Sequence, residues 1–298
     1  MAISLGLIET VLREGFIYSL MAMGVLITYK ILDFPDLSVD GTFPLGACVS
    51  AVLITAGLNP WLVCIAAALA GALMGCITGL LHVKLGITDL LSGILVMTAA
   101  WSINLIITGG TAIFQFFNLP TIYNSGIAVS LPSPLYDHRQ LIIVFLLAVI
   151  VKIILDLYLK TKSGLLLRAV GDNNRFVTGL GRNPGHVKIL GLAIGNACTA
   201  LAGSVLAQWS GNADINMGKG MVVMALASVI IGTGVFRRVK FMKLTTMAIF
   251  GAILYKACLQ IALAIGLPNY YLRLLMAVLL TIAIVSQKIG KKGGAQNA

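Results

Sequence analysis

Charge is what this sequence has least of. Only 10% of its 298 residues are Asp, Glu, Lys or Arg, against about 25% in an ordinary soluble domain. With 59% hydrophobic residues, that scarcity excludes a soluble globular protein and points to the bilayer as solvent. Histidine is also sparse. His82, His138 and His186 are scattered at loop positions, which excludes a histidine metal centre. The five cysteines, Cys48, Cys64, Cys76, Cys198 and Cys258, all lie in apolar runs, without a C-x-x-C pair. They read as small buried hydrophobes, not as a disulfide framework or zinc site. There is no Ser-His-Asp or Cys-His set for hydrolysis and no low-complexity linker, so residues 1–298 read as one membrane domain. The first apolar run carries Glu9, Arg13 and Glu14 and lacks a small-residue cleavage site, so no cleavable signal is expected.

What is abundant is apolar length. A bilayer core of about 30 Å takes about 20 residues of helix. Nine stretches qualify or nearly so: 5–29, 42–56, 61–81, 90–108, 141–159, 189–208, 221–236, 244–265 and 272–287. Barrel-type alternation is missing, so the prediction is an all-α polytopic membrane protein with about eight to ten spanning helices. The stretch 42–56 is short and follows Asp33, Pro35, Asp36, Asp40 and Gly41. That segment is too polar to face lipid, which predicts an early discontinuous helix.

The net charge of +11 sits between the apolar runs, where basic residues set topology. No basic patch with interleaved aromatics suggests nucleic acid. Six Lys and Arg fall in 160–188, and the loop 237–243 contains Arg237, Arg238, Lys240 and Lys243. The tail carries Lys288, Lys291 and Lys292, whereas 109–138, broken by Pro120, Pro132 and Pro134, has neither Lys nor Arg. The first three are expected inside the cell and the last outside. The side on which the N-terminus lies depends on whether 42–56 crosses fully.

Three polar features stand out. A carboxylate at membrane depth usually pairs or lines a pathway. The break Asp33–Gly46 therefore fits a discontinuous helix beside a translocation route. It fits equally a surface loop with Asp40 as N-cap. Asn104, Asn196, Gln208, Lys256 and Gln260 lie inside apolar runs. Lys256 and Gln260 share a helix face; Lys256 can draw a solute carboxylate or pair with an acid between helices. Lys152 and Asp156, also four apart, read as a local salt bridge. Gly218-Lys219 invites a phosphate-loop reading, which fails because Ala213 and Gly220 occupy the required Gly and Ser/Thr places. The segment 211–220 then reads as a polar turn at the outer face. Gly71, Gly75 and Gly79 have the spacing that lets helices approach closely.

Several motifs together resemble one family. Asp36-Leu-Ser-Val-Asp-Gly-Thr-Phe with Leu45-Gly46-Ala47 is similar to an Asp-Leu-Ser-Val-Gly element of ribose-type and branched-chain amino-acid-type ABC importer permeases. Thr161-Lys-Ser-Gly, then Arg168-Ala-Val-Gly-Asp-Asn, with Gly179 and Gly181, resembles their cytoplasmic signature. Ala200-Leu-Ala-Gly203 and Ala225-Leu-Ala-Ser-Val-Ile-Ile-Gly-Thr-Gly234 are similar to later elements of the same family. Asp40 interrupts the first spacing, and Thr233-Gly234 replaces a Gly-Gly pair, which marks a distinct branch.

The resemblance implies a permease subunit of a bacterial plasma (inner) membrane, working as a homodimer. It also implies two ABC ATP-binding subunits below and an extracytoplasmic solute-binding protein above, with ATP bound only on the partners. It places ATPase coupling at Arg168, Gly171, Asp172, Asn173, Asn174, Arg175, Gly179 and Gly181. The expected translocation residues are Asp36, Ser38, Asp40, Gly41, Asn104, Asn196, Lys256 and Gln260. No catalytic or metal site is expected. The favoured solute is an amino acid, with a hydrophobic or an aromatic side chain, because few membrane-depth charges are present to hold a highly charged one; a nucleoside or sugar comes second. An ion-coupled secondary carrier using the acids at 33–40 is the rival reading.

Overall fold

The computed structural model describes residues 2–128, 136–236, 239, 241–268 and 271–295. Pro132, Pro134, Arg237, Arg238 and Lys240 lie outside the described residues, as do the side chains of Lys288, Lys291 and Lys292.

The chain is an all-α bundle. Its helices are α1 (Ala2–Val25, continued by a π-helical turn Leu26–Ile31), α2 (Val39–Thr55), α3 (Pro60–Leu85), α4 (Asp89–Ile107) and α5 (Arg139–Tyr158). They continue with α6 (Lys162–Asp172), α7 (Asn174–Gly179), α8 (Pro184–Ser210), α9 (Met221–Val235), α10 (Leu244–Ala264) and α11 (Leu272–Ala295). Among the described residues, seven helical stretches are long and apolar enough to cross a bilayer, and Val39–Thr55 and Leu274–Val285 are shorter apolar helices. These correspond to the nine stretches read from the sequence.

α8 is the post around which the others stand. The stripe Gly71, Gly75, Gly79 lets α3 lie directly on it. A Cβ on Gly71 would meet the Asn196 carbonyl oxygen at 2.4 Å, and one on Gly75 the Leu192 oxygen at 2.3 Å. α2 lies against α8 just as closely and parallel to it, with Ser38 beside Asn196 and Ser50 beside Ser204.

The basic loop 160–188 gathers one end of the bundle. Ile31 reaches Gly171 at this end, and the Lys188 ammonium lies 3.2 Å from His82 near the end of α3. α1 therefore enters from the opposite end, which places the N-terminus away from the basic loop. At the basic end the expected Lys152–Asp156 pair forms at 2.9 Å, and Lys243 joins it at 3.0 Å, tying α5 to α10.

At the other end a small antiparallel ribbon joins β1 (Ile113–Gln115) to β2 (Asn212–Asp214), pairing Phe114 with Ala213. Here the structure adds detail to the reading of 211–220 as a polar turn at the outer face: Asn216 and Lys219 are exposed. Only its first part lies in the ribbon. Ile215 is buried, and Gly218 sits so close to the Asp40 carbonyl that a Cβ there would meet it at 1.9 Å. The physical reason is composition: Ile215 and Met217 bury apolar surface, and Gly218 has no side chain to keep the backbones apart.

Candidate functional site

The polar break begins where α1 loosens. The π-helical turn ends at Ile31, and Asp33 follows with φ +54°, a left-handed value that a short polar side chain tolerates. Pro35 cannot continue a helix, so the chain turns back into the bundle. α2 then starts level with Asn196, near the middle of α8. A helix that begins at that depth exposes N–H groups where no water can satisfy them.

Asp36 supplies the partner. One of its carboxylate oxygens accepts the Ser38 N–H at 2.8 Å, and the other accepts the Asn196 Nδ2 at 2.7 Å. The Ser38 hydroxyl donates to Asn196 Oδ1 at 3.1 Å and closes a triangle of three buried side chains.

A second helix starts at nearly the same depth. Asp40, in the first turn of α2, accepts the Gly220 N–H at 3.0 Å and the Val222 N–H at 2.8 Å. Its carboxylate thus caps α9, whose N-terminal positive dipole favours an anion. Gly220, at φ +86°, makes the turn into α9. Two helix N-termini therefore meet inside the bundle, each held by an aspartate.

Beside Asp40 lies a cavity of about 260 Å³, lined by Asp40, Gly41, Pro44, Met97, Trp101 and Asn104 among others. Asn104 is fully buried and donates its Nδ2 to the Gly41 carbonyl at 3.2 Å.

The structure thus brings Asp36, Ser38 and Asn196 into one cluster and Asp40, Gly41 and Asn104 into a neighbouring one. Lys256 and Gln260 lie elsewhere, between α1 and α10. Both donate to Glu14 Oε2, at 3.0 and 3.2 Å, and the Lys256 ammonium sits 4.0 Å from the Tyr18 ring centroid. Of the two roles open to Lys256, the geometry provides the pairing with an acid.

The residues expected to couple to ATPase subunits stand outside the spans at the basic end. Thr161 caps α6, Asn173 caps α7 by accepting the Arg175 N–H at 2.9 Å, and Asn183 caps α8. Three caps close together make the segment turn sharply while remaining helical. Gly171 rests on the Ile31 carbonyl, where a Cβ would come within 1.9 Å. This joins the segment to the break through backbone. Arg168, Asp172, Asn173, Asn174, Arg175, Gly179 and Gly181 are exposed.

Several residues with a place in these sites were given no such role from the sequence. Glu14 was visible only as a charge in the first apolar run. Trp101 and Lys219 line the cavity. Phe176, on α7, is 59% exposed although aromatic, and Leu180 beside it is also uncovered. Only Glu14 had a usable signal, an acid where a spanning helix was expected.

A family model described as branched-chain amino acid transport system / permease component matches residues 7–284. A tyrosine transport system permease protein of Clostridioides difficile is 42% identical over 273 residues, covering 92% of this chain and 88% of the relative. A galactofuranose transporter permease protein of Escherichia coli is 27% identical, over 85% of this chain and 71% of its own length. A ribose import permease protein of the same species is 24% identical, over 92% of this chain and 83% of its own. No solved structure matches the chain.

Proposed function

Since this chain belongs to the branched-chain amino acid transport system permease family, a multi-pass membrane transport subunit, we propose that it forms the pathway of an ATP-driven importer for an amino acid with an aromatic side chain. ATP is bound and hydrolysed on two partner subunits, a solute-binding protein delivers the solute from outside, and a second copy of this chain completes the pathway. The membrane is the plasma membrane of a bacterium. The tyrosine transport relative at 42% identity supports the solute class. So does the small number of charges at membrane depth.

The observation that carries the ATP-driven reading is α7. It is six residues long, lies outside the spans, and leaves Phe176 and Leu180 uncovered while Val177 is buried beneath them. Exposed apolar side chains flanked by Arg168 and Arg175 suit a protein partner rather than water or lipid tails. Force applied to α7 passes to α8 through a four-residue connection, and to the break through Gly171 against Ile31. Two discrete positions of that rigid unit are what alternating access requires. Asp36, Ser38, Asp40, Gly41, Asn104 and Asn196 then border the pathway, where backbone N–H groups and carboxylates are available at mid-depth.

Phe176→Ala tests this directly. A buried aromatic anchor at an interface is worth about 2 kcal/mol or more, so ATP-dependent uptake of L-tyrosine into proteoliposomes should fall by more than about tenfold. Phe176 is exposed in the isolated chain, so melting should be unchanged. Uptake at the wild-type rate would sink the coupling role of α7. Uptake that ignores ATP and collapses with an ionophore would favour the ion-coupled carrier.

A further inference from the structure

We infer that the cavity beside Asp40 is the site that recognises the solute, and that it reads an α-amino acid through Asn104, Asp40, Lys219 and Trp101. The inference rests on the import reading above and specifies its chemistry.

The first observation is an unsatisfied atom. Asn104 is completely buried, and its Oδ1 has no hydrogen-bond partner. The amide cannot simply be turned round, because its Nδ2 is committed to the Gly41 carbonyl. A buried acceptor left bare is unfavourable by about 1–3 kcal/mol. Asn104 lines the cavity, so a donor arriving there would relieve that penalty. An ammonium is the strongest small donor.

Asp40 also lines the cavity. Each of its oxygens accepts one backbone N–H from the start of α9. A carboxylate has about four lone-pair sites, so capacity for a cation remains. Because Asp40 already occupies the anion position at the α9 N-terminus, a solute carboxylate cannot bind there. Lys219, on the cavity wall and exposed, has no ion pair among the described residues. It is the group available to a carboxylate.

The rest of the wall is mostly apolar: Gly41, Pro44, Met97, Trp101 and Ile215, with Thr98 the one further polar residue. Met97, Trp101 and Asn104 are spaced i, i+4 and i+7 on α4, so they present one face. Trp101 gives a flat surface for an aromatic side chain, and Met97 adapts to its edge. The volume, about 260 Å³, lies just below the usual range of about 300–1,000 Å³ for ligand pockets. It suits one small solute. The Thr98 hydroxyl donates to the Ile94 carbonyl of its own helix at 2.8 Å. An acid and a lysine without an ion pair among the described residues, both in a mostly apolar wall, favour a zwitterion over a neutral sugar.

The test is equilibrium binding of tritiated L-tyrosine to the full chain in nanodiscs, with tyramine, 4-hydroxyphenylpropionate and D-ribose as competitors. Saturable binding is expected. Lys219→Gln should weaken tyrosine about tenfold or more, the usual size of a lost hydrogen bond to a charged group, and leave tyramine unchanged. Asn104→Leu should weaken tyrosine and tyramine and spare 4-hydroxyphenylpropionate. Trp101→Ala, at an exposed position that folding does not need, should weaken all three. Lys84→Gln, remote and exposed, should bind as wild type. Absence of saturable binding by the wild type, wild-type affinity in both Lys219→Gln and Trp101→Ala, or displacement of tyrosine by ribose at equal concentration would each overturn the assignment. ATP-dependent tyrosine uptake by the complex purified with its native partners is measured in parallel. Uptake with an unchanged KM in Lys219→Gln and Trp101→Ala removes the cavity and leaves the import reading standing. Lys219-dependent binding without any uptake by the wild type supports the cavity and removes the import reading.

Discussion

Gly46→Ala should eliminate the folded protein. A Cβ on Gly46 would stand 1.9 Å from the Ala200 carbonyl oxygen and 2.6 Å from its carbon. Gly203 repeats the contact in reverse, with a Cβ 1.9 Å from the Phe43 oxygen. α2 and α8 therefore touch backbone to backbone at two points about one turn apart. No rotamer change relieves such a clash, because the opposing atoms are main chain. The helices must separate by more than an ångström, which draws apart the 2.6 Å Ser50–Ser204 bond and the 3.1 Å Ser38–Asn196 bond. Overpacking a core is unfavourable by about 1–3 kcal/mol when side chains can adjust; here they cannot, so the effect should reach or exceed the upper value. Size-exclusion of a fluorescently tagged chain in mild detergent should show loss of the monodisperse peak. Gly234→Ala, where nothing lies within 4 Å, should keep it. A Gly46→Ala variant melting within about 2 °C of wild type, roughly the shift that 1 kcal/mol produces in a domain of this size, would refute the backbone contact.

The next largest effect belongs to Asn196→Leu. Two losses compete as its cause. The hydroxyl bond from Ser38 to Asn196 is neutral, and such bonds within membrane bundles average only about 0.6 kcal/mol. The other loss strips the 2.7 Å bond from one oxygen of the Asp36 carboxylate. A buried acceptor left without its donor is unfavourable by about 1–3 kcal/mol, so the second loss should dominate. It follows that Asp36→Asn, which removes the charge, should be milder than Asn196→Leu. It also follows that the double variant should be more stable than Asn196→Leu alone. Thermal melting of the three variants reads this order. Strict additivity of the two single effects would show that the carboxylate and the amide are not coupled, and would remove the argument that Asp36 is the electrostatic anchor of the break. Uptake should follow the same order as melting, because the break joins the coupling segment through Ile31 and Gly171.

Much of this molecule was legible because polar residues are rare in it. In a chain with 10% charge, Asp33, Pro35, Asp36 and Asp40 contrast sharply with their surroundings, and the break could be placed to within a few residues. The basic run 160–188 stood out for the same reason. Where a residue matched the background, nothing marked it. Phe176 is one aromatic among many apolar side chains, and only its exposure distinguishes it. Trp101 was as silent on α4.

Spacing gave the local pairs and withheld the distant ones. Lys256 and Gln260 could be put on one face by the helical repeat, yet Glu14, which receives both, is more than 240 residues away in sequence. Asp40 could be named as an N-cap but not as the cap of α9, 180 residues further on.

The sequence by itself determined the solvent, the class of fold, the spans and the existence of a polar break. Each follows from hydropathy and periodicity, which act over one helix length and are written in neighbouring residues. Only the tertiary structure decided that two helices begin inside the bundle, that Asp36 and Asp40 hold different ones, and that a cavity with a bare amide oxygen lies beside them. Those facts depend on which helices lie together. That is set by close approach at Gly46, Gly71, Gly75, Gly203 and Gly218, where the shape of two backbones must match and no single stretch of chain records the fit.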